Sequence, residues 1–315
     1  MSADASPERP AERQDELVSR DGLAAALREA ETTLADAGVA TPRVDAELLA
    51  AHLLGVSRGR VRALAITGAD APAALADLVA ERARRVPLQH LTGTASFRTV
   101  ELAVGPGVFV PRPETESVVQ VALDWVRARG VETPVVADLG TGSGAIAAAV
   151  AAEVPGARVV AVERSDLALA WARRNLADTG VELLAGDFRT ALAGREGTFD
   201  VVITNPPYVP PDAVPVDPEV AEHDPPEALY GGDRGGLEHP AAAAVAAAAA
   251  LRPGGFLVLE HGEAQGAAVE RILADAGFAG IEAHPDLTGR RRATSGVIPT
   301  SPGRRSPNQN GDSRA

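Results

Sequence analysis

Val135-Val136-Ala137-Asp138-Leu139 runs directly into Gly140-Thr141-Gly142-Ser143-Gly144 and then into Ala145-Ile146-Ala147-Ala148-Ala149-Val150. The first five residues read as a buried strand and the Ala-rich run as a helix. The glycines between them let the backbone approach a ligand closely while the first helical amides face it. Strand, glycine turn and helix in that order open a β-α-β unit, so the reading begins with a parallel sheet covered by helices.

The same alternation continues outward. Arg158 to Glu163 reads as a second strand and Asp166 to Asp178 as its helix, with further strands at Val181 to Ala185 and Asp200 to Thr204. A long Pro-rich loop follows from Val209 to Pro226, then an Ala-rich helix, a strand at Gly255 to Glu260 and a helix from Glu263 to Ala276. Two late strands, near Ile281 and from Ala293 to Ile298, are close enough in sequence to pair antiparallel. Seven strands result, in a Rossmann-like α/β domain over 113–298.

Upstream, Leu23, Leu27 and Leu34 recur at near-helical spacing. Asp45 to Leu54 repeats the pattern, and Pro72 to Arg85 does so again with Pro72 suited to a first helical position. Gly38, Gly55, Gly68 and Pro42 supply the breaks. Residues 16–86 are therefore expected to form a small helical domain. Residues 87–112 change texture toward β-branched and aromatic residues, as in a short β-hairpin linker. Residues 1–15 and 299–315 lack apolar periodicity and are expected to be disordered.

With 315 residues there is room for two domains, and 45% hydrophobic residues supply a core, but aromatics are 3%, so Ala, Val and Leu must build it. The formal net charge is -13, and the 30 basic residues are all Arg. Such a chain repels a phosphate backbone over most of its surface, which argues against long nucleic acid as partner. Two short clusters, Arg82 with Arg84 and Arg85, and Arg290 to Arg292, read as solvated faces. The absence of Cys excludes disulfides and thiolate metal sites. The 6 His residues form no metal-binding spacing, so no metal is expected and His261 reads as structural. The polar opening segment is unlike a secretory signal, and no apolar run is long enough to cross a bilayer, so a cytoplasmic protein away from the membrane is expected.

Gly140 to Gly144, including Thr141 and Ser143, occupies the position of a nucleotide pocket, yet the loop alone admits nicotinamide cofactors and S-adenosyl-L-methionine alike, or a tight turn with no ligand. Glu163 ends the second strand about twenty residues on, where a carboxylate can accept hydrogen bonds from both ribose hydroxyls. Asp187-Phe188, past the third strand, offers a carboxylate for an adenine amino group beside an aromatic face; a turn Asp with a core Phe is the competing reading. Asp138 either faces a positive ligand amine or fixes the turn.

Asn205-Pro206-Pro207-Tyr208 sits at the carboxyl end of the strand Phe199 to Thr204, where open α/β sheets place their chemistry. Two prolines fix φ and remove two amide donors, leaving a stiff array of carbonyl acceptors. An amide or exocyclic amine nitrogen is a poor nucleophile whose two hydrogens are both donors. The Asn205 side-chain oxygen and the Pro206 carbonyl are placed to accept one each and aim the lone pair at a methyl donor, with Tyr208 covering the planar group.

Here the chain resembles the HemK/PrmC type of protein-(glutamine-N5) methyltransferase. The resemblance runs from the helical amino-terminal region to about Ile298. It is carried by the glycine loop, Asn205 to Tyr208, Pro87-Leu88-Gln89-His90-Leu91-Thr92-Gly93, Phe109-Val110-Pro111-Arg112-Pro113-Glu114-Thr115-Glu116, Glu260-His261-Gly262 with Gln265-Gly266, and Asp286-Leu287 with Gly289-Arg290. The resemblance implies a class I methyltransferase domain of seven strands behind a small helical domain, with S-adenosyl-L-methionine as cofactor. It implies that Gly140 to Gly144, Glu163, Phe188 and Asn205 line the cofactor, that Asn205, Pro206, Pro207 and Tyr208 hold the glutamine amide, and that Arg112 to Glu116 closes over the site. The substrate it implies is the Gly-Gly-Gln glutamine of class-1 peptide chain release factors; a monomer is expected. Glu163 stands where many relatives carry Asp, Phe188 where some carry Trp, and Gly93 to Leu102 is spelled loosely. Three other readings stay open from sequence: a ribosomal-protein glutamine as substrate, adenine N6 in nucleic acid, and a non-catalytic assembly factor. For the acidic run Glu219 to Glu227, a lid that orders over substrate is expected.

Overall fold

The computed structural model describes residues 22–300, and the chain divides into two compact units, one ending at Thr92 and one beginning at Gly93. The terminal segments expected to be disordered fall outside the described residues, apart from Pro299 and Thr300.

The first unit is helical: α1 (Leu23–Asp36), α2 (Pro42–Leu54), α3 (Arg58–Ile66), α4 (Leu75–Ala83) and α5 (Leu88–Thr92). Leu23, Leu27, Ala30 and Leu34 form the buried stripe of α1 and pack with Leu49, Val61 and Val79. Three expectations change here. Helix α3 lies in a stretch without a clear apolar pattern, because its single fully buried side chain is Val61. Pro72 precedes α4 by three residues instead of opening it. The segment after Pro87 begins with α5 before any strand forms. The Arg82 cluster is a solvated face only in part: Arg84 is exposed, but Arg82 is buried, and its Nε donates to Asp45 Oδ2 at 2.8 Å while Arg85 donates to the Gly38 carbonyl at 2.9 Å. Glu47, likewise buried, accepts from Arg43, Arg58 and Arg62.

The second unit starts with an antiparallel hairpin of β1 (Thr94–Phe97) and β2 (Val100–Ala103), followed by α6 (Pro113–Arg129). Then come β3 (Val135–Leu139), α7 (Ala145–Glu153), β4 (Arg158–Glu163), α8 (Asp166–Leu176), β5 (Glu182–Ala185) and β6 (Phe199–Thr204). The segment expected to be a plain loop carries α9 (Pro218–His223) and runs into α10 (Pro226–Leu229) and the irregular turn α11 (Asp233–Gly236). Helix α9 forms because Asp217 caps it, its side chain accepting from the Glu219 amide at 3.0 Å, and Pro218 opens it. The chain ends with α12 (Glu238–Ala250), β7 (Leu251–Glu260), α13 (Gly266–Asp275), β8 (Ala279–Pro285) and β9 (Arg291–Val297).

The seven strands β3 to β9 make one sheet in the order β5-β4-β3-β6-β7-β9-β8. Strands β3 to β7 pair parallel, and the last two are antiparallel, as the short connection between them requires. Small residues let helices sit close on both faces: Ala147 to Ala149 of α7 on one, and Ala243, Ala244 and Ala247 of α12 on the other. Strand order reverses between β3 and β6, and their carboxyl ends open the crevice where doubly wound sheets bind ligands.

Candidate active site

Register places the two motifs side by side. Leu139 of β3 is the partner of Thr204 of β6, and the Thr204 hydroxyl donates to the Leu139 carbonyl at 2.7 Å, tying the two strand ends together. The next residue on each strand is Gly140 and Asn205. Both line one cavity of about 780 Å³, together with Thr141, Gly142 and Ser143. That volume suits a cofactor-sized ligand. Gly140 and Gly142 adopt left-handed φ of 76° and 58°, with open space where a Cβ would project, so the turn presents bare backbone. Gly144 faces away instead and packs on Leu176, 3.0 Å from where its Cβ would lie.

Asp138 is fully buried, and its Oδ2 accepts from the Thr141 hydroxyl at 2.5 Å and from the Ala147 amide at 3.1 Å. It therefore fixes the turn. Its Oδ1 is buried without a partner, and burial pushes the carboxyl up to about 7.

Glu163 differs from expectation. Its Oε2 accepts from the Gly142 amide, and its Oε1 accepts from the Arg164 and Ser165 amides, all at 2.8 Å. Glutamate is one methylene longer than aspartate and so spans from the end of β4 to the loop after β3. A carboxylate has about four lone-pair sites. Three are taken, which leaves one on Oε2 for a ligand hydroxyl where sequence suggested two. Phe188 and Gly186 line the cavity, but Asp187 is not among the lining residues. Its carboxylate accepts from the Arg189 amide and guanidinium at 2.8 and 2.9 Å, which together with Arg164 hold its pKa low against the opposing cost of burial.

On the opposite side, the Asn205 Nδ2 donates to the Thr115 hydroxyl oxygen at 3.1 Å. Pro207 and Tyr208 line the cavity while Pro206 is buried beside it. The Tyr208 hydroxyl donates to Glu260 Oε1 at 3.4 Å, and burial with that carboxyl raises its pKa. Gln265 clamps the motif from outside: its Nε2 donates to the Tyr208 and Gly235 carbonyls at 2.8 and 2.9 Å, and its Oε1 accepts from the Gly262 amide at 2.9 Å. Gly236 lies so close that a Cβ there would stand 2.2 Å from the Tyr208 carbonyl oxygen.

Among the lining residues, Glu260 was not given a role from sequence. Glu260 is 3% exposed, its Oε2 is buried without a hydrogen bond, and burial pushes it up to about 7 against the pull of the Thr115 hydroxyl and Arg292. Its legible signal was an acid closing an apolar strand on the same edge as Glu163 and Asn205. Arg290 and Arg292 also line the cavity, so their cluster is not merely a solvated face; Arg292 donates to Asp286 at 3.3 Å. Arg112 donates to Asp224, which is 4% exposed, at 2.5 Å and lies over the Phe109 ring, joining the segment before α6 to the chain after α9. His261 is structural, its ring nitrogens engaged with the Gly262 carbonyl at 2.8 Å and Thr294 at 2.9 Å, and burial lowers its pKa. Among the described residues there is no acid-and-histidine cluster able to hold a metal, and no helix is long and apolar enough to cross a membrane.

The bare-backbone glycine turn, the remaining acceptor on Glu163 and the Phe188 face together fit a nucleoside-bearing cofactor such as S-adenosyl-L-methionine. The PrmC N-terminal domain model matches residues 25–93 and the methyltransferase small domain model matches residues 99–220. The chain is 50% identical over 277 residues to a release factor glutamine methyltransferase of Streptomyces coelicolor, covering 86% of this chain and 96% of that one. It is 50% identical to the protein of that name from Mycolicibacterium smegmatis, covering 86% and 95%, and 43% identical to that from Deinococcus radiodurans, covering 84% and 95%. With a class I methyltransferase sheet behind a helical unit, and identity of this extent over nearly the full length of those relatives, the chain belongs to the release factor glutamine methyltransferase family.

Proposed function

We propose that this protein transfers a methyl group from S-adenosyl-L-methionine to the side-chain amide nitrogen of a protein glutamine, that of the Gly-Gly-Gln motif in class-1 peptide chain release factors. The observation that carries the reading is the pairing of Leu139 with Thr204, which sets the glycine turn and Asn205 on adjacent strand ends lining one cavity. When bound, the cofactor supplies a methyl group on a sulfonium, open to displacement by nitrogen. The glycine turn receives it, Glu163 Oε2 takes one ribose hydroxyl, and Phe188 offers a face to the adenine. Asn205 has committed its NH2 to Thr115, so its Oδ1 is the end that accepts one hydrogen of the glutamine amide. The Pro206 carbonyl accepts the other, and Tyr208 covers the planar group. Holding both hydrogens orients the nitrogen lone pair toward the methyl, the N–C bond forming as the S–C bond breaks and one N–H proton then leaving to solvent, so positioning is the protein's main contribution.

The reading places the protein in the cytoplasm, acting as a monomer, with the helical unit docking the release factor. The test is incubation with methyl-labelled cofactor and, separately, a class-1 release factor, ribosomal proteins and DNA, with mass spectrometry to locate the label. Label on the Gly-Gly-Gln glutamine is expected. Label on ribosomal protein or adenine alone would overturn the assignment.

A further inference from the structure

One wall of the cavity is the strap between β2 and α6, where Gly107, Val108, Phe109, Pro111 and Arg112 line it. This strap lies outside the sheet and rests on α8. Leu167, Trp171 and Asn175 recur every four residues on that helix and so share one face. Each meets a different point of the strap. A Cβ on Gly107 would stand 3.0 Å from Leu167, and one on Gly105 would stand 2.7 Å from the Trp171 ring, so the chain can lie this close only as glycine. The Trp171 Nε1 donates to the Pro106 carbonyl at 3.3 Å. Asn175 engages Ala103 as a neighbouring strand would: its Oδ1 accepts from the Ala103 amide at 2.8 Å and its Nδ2 donates to the Ala103 carbonyl at 2.9 Å.

The same NH2 has a second hydrogen, and it goes to the Ser143 carbonyl in the glycine turn at 2.8 Å. If α7 began with Ser143 as its cap, that carbonyl would accept from the Ala147 amide four residues on. Instead Gly144, at a left-handed φ of 89°, breaks the helix, the Ala147 amide donates to Asp138, and Asn175 supplies the carbonyl's donor. Leu176, the next residue of α8, packs against Gly144. Resting on the proposed cofactor, we infer that Asn175 is a positioning residue that ties the strap to the glycine turn and so sets the width of the cofactor cavity before the ligand arrives. Its amide group bonds directly to both. Walls already ordered spare the ligand the entropy of ordering them, so the contribution is to affinity and not to the transfer step. Without the clamp, Leu167 and Trp171 still meet the strap, but the turn is free to move away from it.

The test measures the affinity of the full chain for S-adenosylhomocysteine by calorimetry. Asn175→Ala removes the clamp, and Asn175→Asp keeps its shape and the acceptor for the Ala103 amide while losing both donors. Leu273→Ala is the control for a general loss of stability, since Leu273 is buried in α13 and lies outside the cavity lining. The chain has 2 Trp residues, so Trp125→Phe in every variant leaves Trp171 as a single fluorescent reporter against the strap. Both Asn175 variants should bind the ligand about tenfold more weakly, and Leu273→Ala should stay within about twofold of the parent even when it melts as low. Trp171 emission should move to longer wavelength in the free Asn175 variants, return toward the parental position on binding, and stay parental in Leu273→Ala. At saturating cofactor, kcat for release-factor methylation should remain within about threefold of the parent while the cofactor KM rises. The inference is overturned if the Asn175 variants bind as the parent does, if Leu273→Ala of equal melting temperature loses as much affinity, or if the emission of the free Asn175 variants does not move. A parent that binds no S-adenosylhomocysteine would refute the proposed cofactor, and the emission of the free variants would still decide the clamp.

Discussion

Replacing Glu163 by Gln tests the glycine turn most directly, because the geometry fixes the expected loss. The carboxylate accepts three backbone amides, one on Oε2 from Gly142 and two on Oε1 from Arg164 and Ser165. Glutamine offers one acceptor oxygen and one NH2. Turning the oxygen toward Arg164 and Ser165 keeps two bonds and sets the NH2 against the Gly142 N–H; the opposite choice loses two. The first orientation wins, and the protein forfeits one charge-assisted bond of about 1.5–3 kcal/mol. Relief from burying a charge offsets the weakening of the other two bonds. At about 2–4 °C per kcal/mol for a protein of this size, the melting temperature should drop by about 3–12 °C. The same NH2 replaces the oxygen that carries the remaining acceptor site, so cofactor affinity should fall by about tenfold to a hundredfold, equivalent to about 1.4–2.8 kcal/mol. Scanning calorimetry and titration calorimetry read the two effects separately. A variant melting within about 1 °C of the parent would refute the amide cradle. Unchanged affinity in a destabilised variant would show that Glu163 shapes the turn without touching the ligand.

Asn205→Ala should lower kcat by about 10²–10³-fold, the usual loss for a single positioned polar group, while calorimetry finds cofactor affinity nearly intact; parental turnover would remove Asn205 from the amide grip. Gly236→Ala places a Cβ 2.2 Å from the Tyr208 carbonyl oxygen at a φ of 81°, so a stability loss of at least about 2 kcal/mol and a raised glutamine KM are expected, read by denaturant titration and steady-state kinetics. Glu260 has a folded pKa raised to about 7, so the native state keeps a proton that the unfolded chain gives up near 4.5. Its stabilising effect is present below the unfolded value and is lost as pH rises through 7. Between about pH 6 and 8 the wild type should lose on the order of 1 kcal/mol more than Glu260→Gln in urea unfolding, and parallel profiles would refute the assignment.

What was readable from sequence, and what was not, follows the range of the forces involved. Strands β3, β4 and β6 were legible because burial on both faces demands runs rich in Val, Ile and Ala, and the ends of β3 and β6 because Gly140 and Asn205-Pro206 follow them. The glycine turn and Asn205 were legible for the same local reason. Helix α3 was not, since charged Arg side chains surround Val61 and its placement depends on Glu47 of α2 accepting from Arg58 and Arg62. The same holds in the site. Asp187 was given an adenine contact from its position after a strand, but two residues later Arg189 supplies a nearer partner. Thr115, Glu260 and Gln265 act on Asn205 and Tyr208 from 52 to 90 residues away in sequence. No local pattern encodes an arrangement that exists only once α6, β6 and β7 are packed together. A residue that touches ligand can be inferred from its own chemistry at a strand end. A residue that orients another acquires its role from the register of the sheet, here from the pairing of β6 with β7 that sets Ile203 against Val258 and Thr204 against Leu259, and so brings Asn205 and Glu260 to neighbouring strand ends.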